Sequence, residues 1–592
     1  MNPSQLVEYF DRMSDAPGAV SRVRRFILDL AVRGKLIEQD PQDEPAPELL
    51  KRIQAEKVRL AKEGKINLEK PPIPASASDL PFDLKPNWLP ARISQILIEL
   101  QTGPFGSSLH RSDYQKGGIP VINPASIKNE RLVPIDSMAV GPTTLKRLAT
   151  FKLHTGDIVM ARRGEMGRCA VVTEQEEGWL CGTGSLILRL PSCVCARFFV
   201  MLIGSPYVRE YLGGSAVGAT MQNLNQSILL GLVVGLPPLA EQHRIVSKVD
   251  ELMALCDRLE AARAERESRR DRLAVISLHY LSNGANDEAF RTHARFYLNH
   301  LPRLTARPEH VQQFRQALLS LAIRGLLVPQ DPADEPASEL LKRIQSRKAL
   351  LAKQGKIRSP KPLPLIPDDV LPFALPRGWL WVRFGELIEN ADAGWSPQCE
   401  NFPRSGDNWG VLKVSAVSWD RFIPEENKQL LPEVVPPEAA QVHAGDFLIS
   451  RANTSELVAK CVIVEQEPLK LILSDKIVRL QISENCSKHF LSMVNNHASH
   501  ARAYYAEEAS GTSFSMKNVS REVIYGLAIP LPPLAEQQRI VAKVAELMEL
   551  CDRLDAQLTT TQSEKRSLLD AVLFHVLNNS PRETDKNFAI KA

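Results

Sequence analysis

The chain has 592 residues, of which 44% are hydrophobic and 24% are charged. These fractions are ordinary for globular domains, so they exclude wholesale disorder, and the length is enough for about three to five domains. The 73 Lys and Arg exceed the 69 Asp and Glu by four, a balance that permits nucleic-acid binding without demanding it.

The sequence predicts a protein of the reducing cytoplasm. Its longest apolar runs, such as 198–203, are far too short to span a membrane, and its first residues lack the basic start and apolar stretch of a secretion signal. The nine cysteines include no Cys-x-x-Cys pair, so we expect core thiols and neither disulfides nor a metal site.

Residues 1–89 are predicted to form a helical frame segment that ends in a proline-rich linker. The stretch Leu49–Gln54, LLKRIQ, returns unchanged as Leu340–Gln345, and Trp88 returns as Trp379, at the same offset of 291 residues. A period of this length excludes short solenoid repeats and indicates a duplicated frame.

Two inserts diverge between the matched blocks. Residues 90–236 and 376–531 contain short runs rich in β-branched residues, such as Leu186–Leu188, Cys461–Val464 and Ile477–Leu480. Turns and helical stretches separate these runs, so each insert is predicted to be an α/β or α+β domain.

The second repeat is the stronger one. Gly231–Ala261 and Gly526–Ala556 agree at 23 of 31 positions, and both contain LPPLAEQ. The first copy opens a central helical region, residues 237–375, which also holds the second frame segment. The second copy lies mostly in a C-terminal long helix and tail, residues 532–592.

Both copies continue as long helices, because no Pro or Gly interrupts Ala240–Asn283 or Ala535–Ser580. In the first, Ile245, Val249, Leu252, Cys256 and Leu259 are spaced as a heptad seam, and the second has the matching seam. We therefore predict α/β (α+β) domains joined by long antiparallel coiled-coil helices, with internal pseudo-twofold duplication.

Motifs of catalysis are missing from the sequence. There is no GxxxxGK[ST] phosphate loop, and Gly182-x-Gly184 lacks the third glycine and the following helix of a dinucleotide site, so a turn between strands is the better interpretation. These absences favour a binding protein over an enzyme, and we expect no catalytic or metal-binding residues.

Polar and basic loops of the first insert suit DNA. Three arginines surround a Gly-containing turn, and Arg can fork onto guanine or a phosphate, while Gln and Asn can read adenine. Each loop alone is more often an ordinary surface turn. The candidates in this insert are Gln101, Thr102, Ser107, Arg162, Arg163, Arg168, Thr220, Gln222 and Asn223.

The second insert has comparable loops at matched positions, which strengthens the binding interpretation. Its bulk charge differs, with 15 Lys and Arg against 19 Asp and Glu, compared with 14 against 10 in the first insert. A bound partner could therefore supply most of its phosphate contacts. The candidates are Trp395, Ser396, Arg451, Asn453, Ser513 and Lys517.

The doubled block LPPLAEQ-(H/Q)-RIV-x-KV, followed by ELM-x-LCDRL, resembles the specificity (S) subunit of type I restriction–modification systems. The Gly-Asp segments that start at Gly156 and Gly445 and the two divergent inserts fit the same family. The resemblance covers nearly the whole chain. The repeat at offset 291 is longer than in many relatives and could add contacts with partner subunits.

The resemblance implies two target-recognition domains, each reading one half of a bipartite double-stranded DNA site. It also implies that the helical regions dock two modification (M) subunits, which hold S-adenosylmethionine. Restriction (R) subunits would add cleavage driven by ATP and Mg. The chain itself would be non-catalytic, without a cofactor, and would function in DNA methylation and phage defence.

Two alternatives remain open on the sequence. One is a single-chain methyltransferase or nuclease whose active site has no recognised motif. The other is a coiled-coil adaptor with no role in DNA binding.

Overall fold

The computed structural model describes residues 15–66, 73–104, 108–215, 224–282, 287–359, 362–367, 371–418, 420–511 and 516–578. The chain folds as two compact units. Unit 1 consists of residues 1–266 and 562–592, and unit 2 consists of residues 267–561.

Unit 1 is mixed helix and sheet. Its helices are α1 Ala19–Val32, α2 Ala46–Lys62, α3 Ile93–Ile96, α4 Pro142–Arg147, α5 Ala196–Gly204, α6 Pro206–Ser215, α7 Gln226–Gly231 and the first part of α8 Leu239–Ser282. Its strands are β1 Leu89–Arg92, β2 Glu99–Thr102, β3 Tyr114–Gln115, β4 Ile119–Ile122, β5 Ile127–Lys128, β6 Arg131–Leu132, β7 Ala139–Val140, β8 Ile158–Ala161, β9 Cys169–Val171, β10 Leu180–Cys181, β11 Ser185–Arg189 and β12 Val233–Leu236.

Unit 2 repeats this pattern. Its helices are α9 Asp287–Asn299, α10 Leu301–Leu304, α11 Pro308–Ile323, α12 Ala337–Lys353, α13 Phe384–Leu387, α14 Lys488–His497, α15 Ser499–Glu508, α16 Arg521–Gly526 and most of α17 Leu534–Asn578. Its strands are β13 Leu380–Arg383, β14 Ile388–Ala393, β15 Gly410–Leu412, β16 Asn427–Gln429, β17 Phe447–Ser450, β18 Ala452–Asn453, β19 Cys461–Ile463, β20 Leu471–Ile472, β21 Ile477–Ile482, β22 Lys517–Asn518 and β23 Ala528–Leu531.

The two units share the topology of their main sheet. A four-stranded antiparallel sheet has the order β2-β11-β8-β9 in unit 1 and β14-β21-β17-β19 in unit 2. A smaller sheet accompanies it, with the order β10-β4-β7-β3 or β16-β15-β20. The first and last strands of each insert pair with each other, β1 with β12 and β13 with β23. The predicted combination of α/β inserts and long helices is confirmed.

The long helices begin and end within two residues of their predicted limits. Unit 2 contains the end of α8 and the beginning of α17, and there Leu278 and Leu281 share a hydrophobic cluster with Cys551 and Leu554. This cluster places the last turns of α8 in one core with the middle of α17. The predicted seam of α8 is wrong at its last position, because Leu259 is 41% exposed.

A buried glutamate in the first turn of each long helix connects the helix to its frame. Glu241 accepts hydrogen bonds from Trp88 Nε1 at 3.0 Å and from Gln39 Nε2 at 3.3 Å. In unit 2, Glu536 accepts from Trp379 Nε1 at 3.0 Å and from Gln330 Nε2 at 3.2 Å.

The glutamine and the arginine of the motif LPPLAEQ-x-R also make the same contacts in both units. Gln242 Nε2 donates to the Pro237 carbonyl at 2.9 Å, and Gln537 repeats this bond with Pro532 at 3.0 Å. Bidentate ion pairs then join the arginine of the motif to the frame: they link Arg244 with Asp43 and Arg539 with Asp334.

The frame segments that repeat at an offset of 291 residues therefore belong to the core of their own unit. In unit 1, Val20, Leu49 and Ile53 lie in one hydrophobic cluster with Trp88 and Ile245. Unit 2 has the equivalent cluster around Leu340, Ile344, Trp379 and Ile540.

We predict that Trp379→Phe destabilises unit 2 by about 1–3 kcal/mol, because it removes a hydrogen bond to a buried carboxylate. Trp381→Phe is the matched control, since the indole nitrogen of Trp381 is buried and has no hydrogen-bond partner among the described residues. Hydrogen exchange of the α12 and β13 amides measures the effect in unit 2 alone. Equal exchange in the two variants would contradict the prediction.

Candidate nucleic-acid interface

The candidate residues that the structure describes gather at one edge of the four-stranded sheet in each unit. Because the strands are antiparallel, the ends of β2 and β8 meet the start of β11. The ends of β14 and β17 meet the start of β21 in the same way. We call these the unit 1 edge and the unit 2 edge.

Three backbone hydrogen bonds hold the unit 1 edge together. Gly103 N donates to Ser185 O at 2.9 Å, Arg162 N donates to Gly184 O at 2.9 Å, and Leu224 N donates to Arg162 O at 3.0 Å. These bonds bring the loops that follow β2 and β8 beside the turn that precedes β11 and the segment that precedes α7.

The same three bonds occur at the unit 2 edge. Gly394 N donates to Ile477 O at 3.3 Å, Arg451 N donates to Lys476 O at 2.9 Å, and Val519 N donates to Arg451 O at 2.9 Å. Since the inserts share few residues, this agreement shows that the two edges are copies of one backbone design.

The arginines of the unit 1 edge differ in exposure. Arg162 is half-buried, and its Nε donates to the Leu224 carbonyl at 3.1 Å, which fixes the direction of the guanidinium group. Arg163 is exposed. Arg168 is half-buried, and its Nε is buried with no partner in the described part of the chain. A guanidinium group that the Leu224 carbonyl orients is suited to directional contacts with base edges.

Gln101 and Thr102 lie at the end of β2. Thr102 Oγ1 accepts from Gln226 Nε2 at 2.6 Å, which ties this strand to α7. Gln101 Oε1 is buried and has no hydrogen-bond partner within the described ranges. The next residue, Gly103, allows a close approach, because a Cβ there would lie 2.0 Å from the carbonyl oxygen of Gly182.

The unit 2 edge has different side chains on the matching backbone. The close-approach position is Gly394, where a Cβ would lie 2.2 Å from Ser474 O. Asp392 and Ala393 therefore occupy the places that Gln101 and Thr102 have in unit 1. The carboxylate of Asp392 accepts hydrogen bonds from the side-chain amides of Asn390 at 3.0 Å and Gln481 at 3.2 Å. The two edges therefore carry different polar side chains at matched backbone positions.

The other described candidates of unit 2 lie close to that edge. Ser396 Oγ bonds to the carboxylate of Asp475 at 2.5 Å, and Trp395 packs on the cluster that contains Val411. Asn453 pairs with Lys517 across the β18–β22 ladder, and the Lys517 ammonium donates to the Gly511 carbonyl at 2.7 Å.

Five of the candidates, Ser107, Thr220, Gln222, Asn223 and Ser513, lie outside the described residues. One part of each edge was not predicted from the sequence. The turn that precedes β11 contributes Gly182–Ser185, and its counterpart contributes Asp475 and Lys476. The Gly182-x-Gly184 pattern was the available signal, and it does form a turn between strands.

The repeated Gly-Asp segments have a structural role. Gly156 has φ 91° and Gly445 has φ 82°, which is left-handed backbone that favours glycine. Asp157 accepts from His154 N at 3.0 Å, and Asp446 accepts from His443 N at 2.9 Å. Burial raises the pKa of Asp157, and Arg189 lies 3.5 Å away and opposes this shift.

The described residues contain no group of three or more His, Cys, Asp or Glu side chains that could hold a metal ion. No described helix is both long and apolar enough to cross a bilayer.

The two edges have the same backbone arrangement, carry different side chains and stand on duplicated helical frames, so they form two related candidate binding surfaces. Residues 91–266 match the family Methylase_S, the type I restriction modification DNA specificity domain.

Curated proteins extend the match to nearly the whole chain. The Type I restriction enzyme EcoEI specificity subunit of Escherichia coli is 34% identical over 567 residues, with 94% of each chain covered. The EcoAI specificity subunit of Escherichia coli is 29% identical over 575 residues, again with 94% of each chain covered. The chain therefore belongs to the family of type I restriction enzyme specificity subunits.

Among solved structures, the HsdS subunit from Thermoanaerobacter tengcongensis aligns at 17% identity with a TM-score of 0.42, covering 84% of this chain and 98% of that one.

We predict that Gly103→Ala opens the unit 1 edge, because its Cβ would overlap the Gly182 carbonyl. Hydrogen exchange of the Ser185 region should become faster. Gly213→Ala is the control, since a Cβ there meets no atom within 4 Å. Alanine also favours a helix by about 1 kcal/mol relative to glycine. Unchanged exchange in Gly103→Ala would show that the edge tolerates the extra atom.

Proposed function

We propose that this specificity subunit reads a bipartite, asymmetric DNA site, with one half-site at each edge. The observation that carries the proposal is the pair of matched edges with different side chains. Direct base contacts would come from the candidate residues of each edge, and the helical frame would set the distance between half-sites. The five candidates outside the described residues stay part of this proposal.

The proposed division of the chain follows the two repeats. Each insert would be a target-recognition domain, and the helical segments around it would form the frame. The divisions are residues 1–89, 90–236, 237–375, 376–531 and 532–592.

In this proposal the chain is non-catalytic and holds no cofactor. Modification subunits would bind S-adenosylmethionine and methylate the site, and restriction subunits would use ATP and Mg. The chain would act on cellular and phage DNA in the cytoplasm.

A methyl-transfer assay separates this proposal from a self-contained enzyme. The purified chain is incubated with DNA and labelled S-adenosylmethionine, first alone and then with its modification subunit. We expect methylation only in the second case. Methyl transfer by the chain alone would favour the alternative, a single-chain methyltransferase with an unrecognised site.

We also propose that one chain docks two modification subunits. A surface strip on the long helices supports this stoichiometry, because its residues are identical and exposed in both units. The strip consists of Glu251, Leu255 and Arg258 on α8 and of Glu546, Leu550 and Arg553 on α17. Equal surfaces should bind equal partners.

Base recognition can be tested one half-site at a time. Arg162→Ala should weaken binding at the half-site of unit 1 by about 1–3 kcal/mol, the range for a bidentate base contact. Arg451→Ala should affect only the other half-site, and Arg272→Ala, at an exposed position of the frame, is the control. Binding to DNA with each half-site altered in turn gives the measurement. A uniform loss on all sequences would mean a phosphate contact instead.

Docking stoichiometry can be tested with single and double variants of the strip. Leu255→Asp and Leu550→Asp should each leave a complex with one modification subunit, and the double variant should bind none. Leu350→Asp is the control, because Leu350 is 56% exposed on α12, a helix that carries no residue of the strip. Native mass spectrometry counts the subunits. Two bound subunits in the double variant would rule out this surface.

A further inference from the structure

The turn that precedes β21 lies at the centre of the unit 2 edge. β21 is the strand between β14 and β17, so the loops that follow those two strands lie on either side of the turn. The loop after β17 is joined to it by the bond from Arg451 N to Lys476 O at 2.9 Å. The loop after β14 is joined to it by the bond from Trp395 N to Leu473 O at 2.8 Å. A ligand that contacts both loops therefore also meets the tip of this turn.

The tip of the turn consists of Asp475 and Lys476, which are both exposed. The hydroxyl of Ser396 donates to Oδ1 of Asp475 at 2.5 Å, and Ser396 Oγ accepts from the Asp475 amide at 3.0 Å. These two bonds fix the position of the carboxylate. They use only one of its oxygens, and Oδ2 has no hydrogen-bond partner within the described part of the chain.

The cations at this edge are not used inside the unit. Neither Lys476 Nζ nor the guanidinium group of Arg451 forms a hydrogen bond or an ion pair with a described residue. Other lysines of the same insert are paired with carboxylates: Lys413 with Glu426, Lys460 with Asp420 and Lys470 with Asp407. Although the insert as a whole is negative, its edge thus offers cations to an external acceptor.

Unit 1 has no equivalent pair of charges. The matched backbone bonds of the two edges place Gly184 at the position of Lys476. Thr183 then has the position of Asp475. A Cβ on Gly184 would lie 2.9 Å from the ring of Pro124, so a side chain at this position of unit 1 would overlap that ring.

An acceptor and a donor on neighbouring residues match the major-groove face of one G·C pair. Guanine presents O6 and N7 as acceptors there, and cytosine presents its N4 amino group as a donor. Lys pairs preferentially with guanine, and Asp accepts from cytosine. The Cα atoms of neighbouring residues lie about 3.8 Å apart, so both side chains reach the same pair.

We propose that Asp475 and Lys476 determine specificity for a G·C pair in the half-site of unit 2. Lys476 donates to guanine, and the free oxygen of Asp475 accepts from the cytosine amino group. Unit 1 reads its half-site without such a pair, because Thr183 and Gly184 carry no charge. The proposal rests on the proposed function, in which each edge reads one half-site.

The test measures binding of the full chain, in complex with its modification subunits, to duplexes that carry each of the four base pairs at every position of both half-sites. Lys476→Ala should reduce the discrimination for G·C at one position of one half-site by about tenfold or more, the effect of one lost base contact. Lys476→Arg should retain the discrimination, since Arg also pairs with guanine. Asp475→Asn should admit A·T at the same position, because Asn pairs with adenine.

Lys428→Ala is the matched control. It removes the same charge from an exposed position of β16, in the smaller sheet of the same insert. It should leave the discrimination at the G·C position unchanged.

A uniform loss of affinity on all duplexes in Lys476→Ala would overturn the proposal, because the ammonium group would then contact a phosphate. Effects of Asp475→Asn and Lys476→Ala at two different positions would also overturn it, since the two side chains would not share one base pair. Unchanged discrimination in Lys476→Ala, in a complex that still distinguishes two half-sites, would contradict the role of this turn alone. An unaltered complex that distinguishes no bipartite site would contradict the proposed function as well.

Discussion

The buried glutamate at the start of each long helix is the contact on which each unit depends. Glu241 and Glu536 each accept hydrogen bonds from a tryptophan and a glutamine of the frame. Burial raises the pKa of Glu536, and the two hydrogen bonds oppose this shift. A carboxylate in the first helical turn is also favoured by the helix dipole.

The tryptophan partner extends this contact to the insert. Trp88 directly precedes β1, the first strand of the insert of unit 1, and a Cβ on Gly235 in β12 would lie 2.8 Å from its ring. The first and last strands of that insert therefore meet beside the glutamate. In unit 2, Trp379 precedes β13 and bonds to Glu536 in the same way. The inserts can diverge because the frame holds their ends and leaves their loops unconstrained.

Sequence patterns predicted what depends on local properties of the chain. The long helices followed from the absence of Pro and Gly, and the predicted strand Ile477–Leu480 lies within the observed strand Ile477–Ile482. The exposure of Leu259 was missed, because a heptad pattern gives the spacing of a seam and not the point where its partner ends. The hydrogen bonds that join Glu241 and Gln242 to distant parts of the chain were not predicted. A single sequence does not specify which helix turn contacts which strand.

The sequence predicted residues of the candidate site, but only part of the way in which the chain brings them together. Arg162 and Arg451 were identified as matched arginines, and both join the edge through backbone bonds to residues far along the chain. The turn Gly182–Ser185 and the residues Asp475 and Lys476 were missed as parts of the edges. Strand order causes this gap, since β11 lies between β2 and β8 and a single sequence does not specify that order.

Methylome sequencing of the host strain before and after deletion of this subunit tests the central claim most directly. The account predicts that deletion removes methylation at one bipartite motif with two different half-sites, because the matched edges have Gln101 and Thr102 in one unit and Asp392 and Ala393 in the other. Loss of methylation at a continuous motif, at two identical half-sites, or at no motif would contradict it.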